Sequence, residues 1–140
     1  MTTWLDDLAQ YLEDSTDSIG VFSPTSTQTR SIYTLNAPST DTSHVILYPY
    51  AGMSPDWTLY SSGYYCPRLN VLVVSTAADG GLQKSIDIRT RLNHVANVGL
   101  PTSTVARLYR HIYPLGDPEW LGKDESGRGQ FVINFQVEYS

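Results

Sequence analysis

The chain has a single cysteine, Cys66, among 140 residues. An intramolecular disulfide is therefore impossible, a cysteine-rich zinc site is excluded, and assembly in a reducing compartment is expected. Charge is also scarce. Asp, Glu, Lys and Arg together make up 16% of the residues, and 9 cations face 14 acids for a net charge of −5. That balance argues against an extended basic footprint on nucleic acid. No apolar run approaches the roughly 20 residues that cross a bilayer. The start, Met1-Thr2-Thr3-Trp4-Leu5-Asp6-Asp7, lacks the basic and apolar stretches of a secretory signal, so no membrane partner is expected. Histidine occurs only at His44, His94 and His111, never three or four residues from another, which is not the spacing of a metal-binding helix.

Two residue types are in excess. Ser and Thr number 29, of which 14 fall between Ser15 and Ser43, so a polar loop or arm is expected over about 23–43. Tyrosine occurs 10 times, with Tyr48, Tyr50, Tyr60, Tyr64 and Tyr65 in one stretch. That is more phenol than a small core satisfies with hydrogen bonds, so part of it belongs to a contact surface, and Tyr64 and Tyr65 are the candidate anchors.

Periodicity organises the rest into one domain spanning 1–140. Trp4, Leu5, Leu8, Tyr11 and Leu12 follow helical spacing behind Thr2 or Thr3 as cap, predicting a helix over 3–14. Ile19 to Phe22 reads as a short strand, and Arg30 to Leu35 as one arm of a hairpin. His44 to Tyr50 and the apolar run Leu69 to Ser75 read as central strands. Between them Ala51 to Arg68 reads as an ordered loop or ribbon.

Asp79 offers a cap to a second helix carrying Leu82, Ile86, Ile88, Leu92, Val95 and Ala96 and ending near Gly99 and Pro101. Val105 to Tyr113 reads as a strand. In the last segment Phe131, Ile133, Phe135, Val137 and Tyr139 alternate with Gln130, Asn134, Gln136 and Glu138, which predicts a half-buried strand with the second set outward. Pro114 to Gly129 reads as a loop. The expected class is α+β: a central antiparallel or mixed sheet with two helices packed on one face, plus a long extended loop or hairpin arm.

A catalytic constellation does not emerge. Cys66, between Tyr65 and Pro67, has no nearby His or Lys to lower its pKa and reads as a buried or interface thiol. Gly80-Gly81 lacks the phosphate-loop lysine pattern, so a packing or capping role is expected and no cofactor is. Asp117, Glu119, Asp124 and Glu125 lack the EF-hand spacing and read as a solvated loop, with no metal. Arg110 shares a strand face with Leu108 and Ile112 and is expected to need a carboxylate partner. A small enzyme using Asp124, Glu125 and His111 in a cleft is the alternative from another class.

The order of the segments carries a resemblance. Trp4-Leu5-Asp6-Asp7-Leu8, then Val45-Ile46-Leu47-Tyr48-Pro49-Tyr50-Ala51-Gly52, then Tyr65-Cys66-Pro67-Arg68-Leu69-Asn70-Val71-Leu72-Val73 are followed by the later helix. Pro114-Leu115-Gly116-Asp117 and Asp124-Glu125-Ser126-Gly127-Arg128 then lead into Val132-Ile133-Asn134-Phe135-Gln136-Val137. This resembles the minor capsid and tail-terminator proteins of long-tailed bacteriophages over most of the chain. Two features depart from the family: Val74-Ser75 stand where an arginine is common, and the Ser/Thr-rich arm is long.

The resemblance implies a non-enzymatic virion protein, without cofactor, that forms a ring, commonly a hexamer, at the tail-neck junction after assembly in the host cytoplasm. Its implied partners are other copies of itself, the tail tube protein and a neck or head-closure protein, with DNA passing through the lumen unbound. A head-closure or connector protein is the nearer alternative. Asp124, Glu125 and Arg128, in the loop before the last strand, are candidate docking residues beside Tyr64 and Tyr65.

Overall fold

The computed structural model describes residues 3–38, 43–50, 65–102 and 104–140. Helix α1 spans Trp4–Glu13 and is fixed at its start by a capping box: Thr3 Oγ1 accepts from the Asp6 N–H at 3.4 Å, and Asp6 Oδ2 accepts from the Thr3 N–H at 2.8 Å. Its buried stripe is Leu5, Leu8, Ala9 and Leu12. The expected strand at Ile19–Phe22 does not form. Instead the Val21 carbonyl accepts from the Ser31 and Ile32 N–H groups, and Glu13 Oε1 accepts from those of Phe22 and Ser23.

Strand β1 (Ile32–Thr34) then enters the sheet parallel to β2 (His44–Tyr50), so the Arg30–Leu35 run is an edge strand and not a hairpin arm. β2 pairs antiparallel with β3 (Arg68–Ser75), which is followed by helix α2 (Ala78–Asn93). The helix begins after Ala77, which places Asp79 inside the first turn and not at the cap. It also ends earlier than the sequence pattern implies. β4 (Ala96–Leu100) pairs with β5 (Arg107–Pro114), so Val95, Ala96 and Gly99 belong to the sheet side of the turn. Long-range pairing there overrides a helical apolar spacing that was ambiguous to begin with.

β6 (Glu119–Lys123) lies in the segment expected to be a loop, and β7 (Gly129–Tyr139) ends the fold. A bulge between Trp120 and Gly122, with Gly122 at φ 95°, removes the period-two pattern by which β6 would be recognised. The sheet is mixed, in the order β1-β2-β3-β7-β5-β4, with β6 beside the first half of β7 and β5 beside its second half.

Register explains the core. Val45, Val73 and Phe131 stand side by side across β2, β3 and β7, as do Leu47, Val71 and Ile133, and all are buried toward the helices. α2 packs on β3, β5 and β7 while α1 packs on β1, β2 and β4, and the two helices touch. The inward stripe of α2 is Gly81, Ser85, Ile88 and Leu92; Leu82 and Ile86, expected to be buried, are 42% and 40% exposed. Glycine is required at 81, because a Cβ there would lie 2.9 Å from Ser75 Cβ and 3.2 Å from Phe131 Cε2. Gly81 thus has a packing role.

Candidate functional site

The acidic and basic residues of the last loop form a tight turn. Asp124 Oδ1 accepts from the Ser126 and Arg128 N–H groups at 3.0 and 2.8 Å, and Asp124 Oδ2 accepts from Arg128 Nε at 2.8 Å. These bonds, the Arg128 backbone bond foremost, hold the Asp124 carboxyl below its ordinary range. Gly127 at φ 78° supplies the backbone that an L side chain would resist. Glu125 is exposed at the tip. The structure therefore brings Asp124 and Arg128 together as a pair that shapes the β6–β7 hairpin and presents Glu125.

Tyr65 is 46% exposed at the other end of β7, where it bridges to Tyr139. Trp4, Tyr65 and Tyr109 surround the Tyr139 ring at centroid distances of 6.3, 5.4 and 5.6 Å. Tyr64 and most of the Ala51–Arg68 ribbon lie outside the described residues. Cys66 is buried, and Gln136 Nε2 donates to its carbonyl at 3.1 Å.

Groups needed for catalysis are kept apart. Lys123, next to Asp124, pairs with Gly129 at the start of β7, whereas His111 pairs with Glu138 near its end, a separation of about 30 Å at strand rise. His44 is buried against Tyr33, His111 lies against Tyr113, and His94 caps α2. Among the described residues no three His, Cys, Asp or Glu side chains group as metal ligands, and no helix is long and apolar enough to cross a membrane.

The arginines are committed to the fold. Arg89 pairs with Asp117 at 3.5 Å, and Arg91 donates to the Tyr11 carbonyl while lying 3.8 Å from the centroid of its ring. Arg107 reaches the buried carboxylate of Asp7 at 2.8 Å. A bulge between Tyr109 and His111 breaks the alternation of this strand, so Tyr109 and Ile112 are both buried and Arg110, exposed, does not share the face of Ile112.

What the surface offers is apolar area. Leu35, Val105, Leu108, Leu115, Trp120 and Leu121 are 45% to 64% exposed, and none stood out in the sequence. Leu35 and Val105 are also held at positive φ, 71° and 48°, a strained conformation for such side chains. A cleft of about 440 Å³ beside α1 is lined by Asp6, Asp14, Phe22 and Pro101 among others.

Comparison with known proteins decides the family. A model of bacteriophage tail terminator proteins matches residues 5–140. The chain belongs to the bacteriophage tail terminator family. A chain from the virion of a native gene transfer agent (GTA) particle has a similar fold, with a TM-score of 0.66 at 11% identity over 97% of this chain and 93% of that one. No match was found among curated protein sequences. As a member of a structural tail family, the protein is a virion component and not an enzyme. Exposed apolar side chains of this extent are suited to contacts with other virion proteins.

Proposed function

We propose that the protein forms a ring, of six copies as the family resemblance implies, that caps the head-proximal end of the tail tube at the tail-neck junction. The match to the tail terminator family over residues 5–140 is the observation that carries this reading. Occupying the growing end stops tube polymerisation, and the opposite face of the ring receives the neck or head-closure protein. Subunits meet head to tail, since a contact between two different patches closes into a ring when its rotation divides a full turn.

The net charge of −5 suits a lumen through which DNA passes without being held by its phosphates. Tyr65, half exposed on its aromatic cluster, and Tyr64 beside it are assigned to subunit or tube contacts. The hairpin tip of Asp124, Glu125 and Arg128 is assigned to docking, with Glu125 the outward charge.

Titration of the purified protein into an extract of a phage lacking it tests the reading. Infectious particles should saturate at a fixed ratio of protein to tails, with rings at the tube ends in electron micrographs. Rescue of many tails by each ring, or rings found only on heads, would overturn capping; the second result would place the protein among connectors.

A further inference from the structure

The net charge of the chain is gathered at one pole. Residues 1–29 hold five of the 14 acids and no lysine or arginine, so the nine acids and nine cations that follow balance, and the whole −5 belongs to α1 and the segment after it. The last turn of α1, the negative end of its dipole, carries no basic residue either. Among the described residues only Asp7 of these five acids pairs with a cation.

The cleft of about 440 Å³ lies at this pole, lined by Asp6, Asp7 and Asp14 of α1, with apolar surface from Phe22 and Pro101. Asp6 and Asp14 take hydrogen bonds there from the neutral groups of Thr3, Thr34 and Gln10. Asp7 is different. Its side chain is 1% exposed, and Arg107 and the Tyr109 hydroxyl both bond the same oxygen, Oδ2. No described residue donates to the other oxygen, Oδ1. A buried carboxylate oxygen without a donor is costly, and Asp7 lines the cleft from which a donor can come.

We propose that this cleft receives the guanidinium of an arginine from a different protein of the tail, which donates to Asp7 Oδ1. This inference rests on the capping reading above. Asp6 and Asp14 supply the attracting charge, and Phe22 and Pro101 cover the aliphatic stem. A guanidinium fits a buried oxygen better than an ammonium does, because it is planar and more weakly hydrated. Among the described residues the acids do not group as metal ligands, which favours a cation that brings its own donors over a bare ion. A second copy is not the source, since all seven arginines are engaged within their own chain. Arg89, Arg107 and Arg128 hold carboxylates, Arg30 and Arg91 hold carbonyls and ring faces, Arg68 holds Gln136, and Arg110 also has its partner.

Titration of the full chain with acetyl-arginine amide, followed through backbone amide resonances, tests the site. Shifts should saturate and stay confined to Asp7, Gln10, Phe22 and Thr102, with little response to acetyl-citrulline amide, which has a similar shape without the charge. Asp14→Asn leaves the Asp7 bonds and the α1 cap in place and should weaken the arginine amide up to about fivefold, the scale of one partly exposed charge pair. An equal response to citrulline, shifts spread over distant acids such as Glu125 and Glu138, or tighter binding of calcium at the same residues would overturn the site. In extract, Asp14→Lys should lower the yield of infectious particles while rings and melting temperature are retained. A normal yield would overturn the docking role and leave the capping reading standing. Wild-type protein that fails to cap tubes would overturn the capping reading, and the arginine titration would then decide the cleft by itself.

Discussion

The Tyr109 hydroxyl donates a 2.7 Å hydrogen bond to Asp7 Oδ2, the same oxygen that accepts from Arg107 at 2.8 Å, and this ties α1 to β5 on the helix-covered face of the sheet. Asp7 is 2% exposed, so its charge is tolerable only with both donors in place. Asp7→Ala would leave Arg107 and the buried Tyr109 hydroxyl without that acceptor. The expected loss is about 3 kcal/mol, the low end for breaking a buried pair because Arg107 keeps some access to water. Asp7→Asn retains an acceptor for Tyr109 and should cost less. Urea unfolding of the two variants checks the order.

Burial above all, and then the hydrogen bond to Asp7, push the Tyr109 phenol well above its ordinary pKa of 10.0. Burial raises Tyr139 as well. A raised folded pKa gives stability that is full below the unfolded value and declines as pH rises past it, because the unfolded chain releases the proton first. Melting temperature should therefore fall as pH rises above about 10. Tyr109→Phe should flatten that fall, and an equally steep decline in the variant would place its origin elsewhere.

Legibility followed how local the signal was. β2, β3 and β7 bury residues set by their own alternation or apolar runs, and α1 carries both its cap and its stripe, so their positions could be read directly. β4 and β6 are held by partners: β4 by β5, and β6 by β7 across a bulge at Leu121 that scrambles the pattern. The stripe of α2 was misplaced because Gly81 and Ser85, small residues, form the packed face while Leu82 and Ile86 are left outside. Of the candidate contact residues, Tyr65, Asp124, Glu125 and Arg128 were visible through residue type and turn chemistry. Val105, Leu108, Trp120 and Leu121 were not, since an exposed apolar side chain looks like a core residue until the packing is known.

On β7 the outward set is not uniformly solvated. Gln136 is 1% exposed, because the chain at Cys66 and Pro67 lies over it and accepts two hydrogen bonds of 3.1 Å from its Nε2. Phe135→Ala should cost about 3 kcal/mol through lost burial and the cavity left behind. Gln136→Ala should cost about 1–2 kcal/mol, because two carbonyls lose their donor. Asn134→Ala, at a half-buried position on the same outward face, should cost least. Denaturant midpoints that failed to rank the three in this order would mean that the segment at Cys66 does not hold Gln136.

The β6–β7 hairpin tip allows shape and docking to be separated. Asp124 is held below its ordinary carboxylate range by the Arg128 backbone bond first, and by the Arg128 side chain and the Ser126 N–H besides. A lowered folded pKa gives stability that is present above the unfolded value and is lost as pH falls through the folded one. The carboxyl resonance of Asp124 should thus titrate below pH 3.8, and Arg128→Ala should move its midpoint back toward that value. Arg128→Glu would set two carboxylates against each other, opening the turn and displacing Glu125, so head-to-tail joining in extract should fall. Glu125→Gln leaves every turn bond intact and removes only the outward charge. If the tip docks through that charge, Glu125→Gln should slow joining, most at low salt where the charge is least screened. If joining by Glu125→Gln is normal while Arg128→Glu is impaired, the hairpin contributes shape alone, and the docking role of Glu125 is lost.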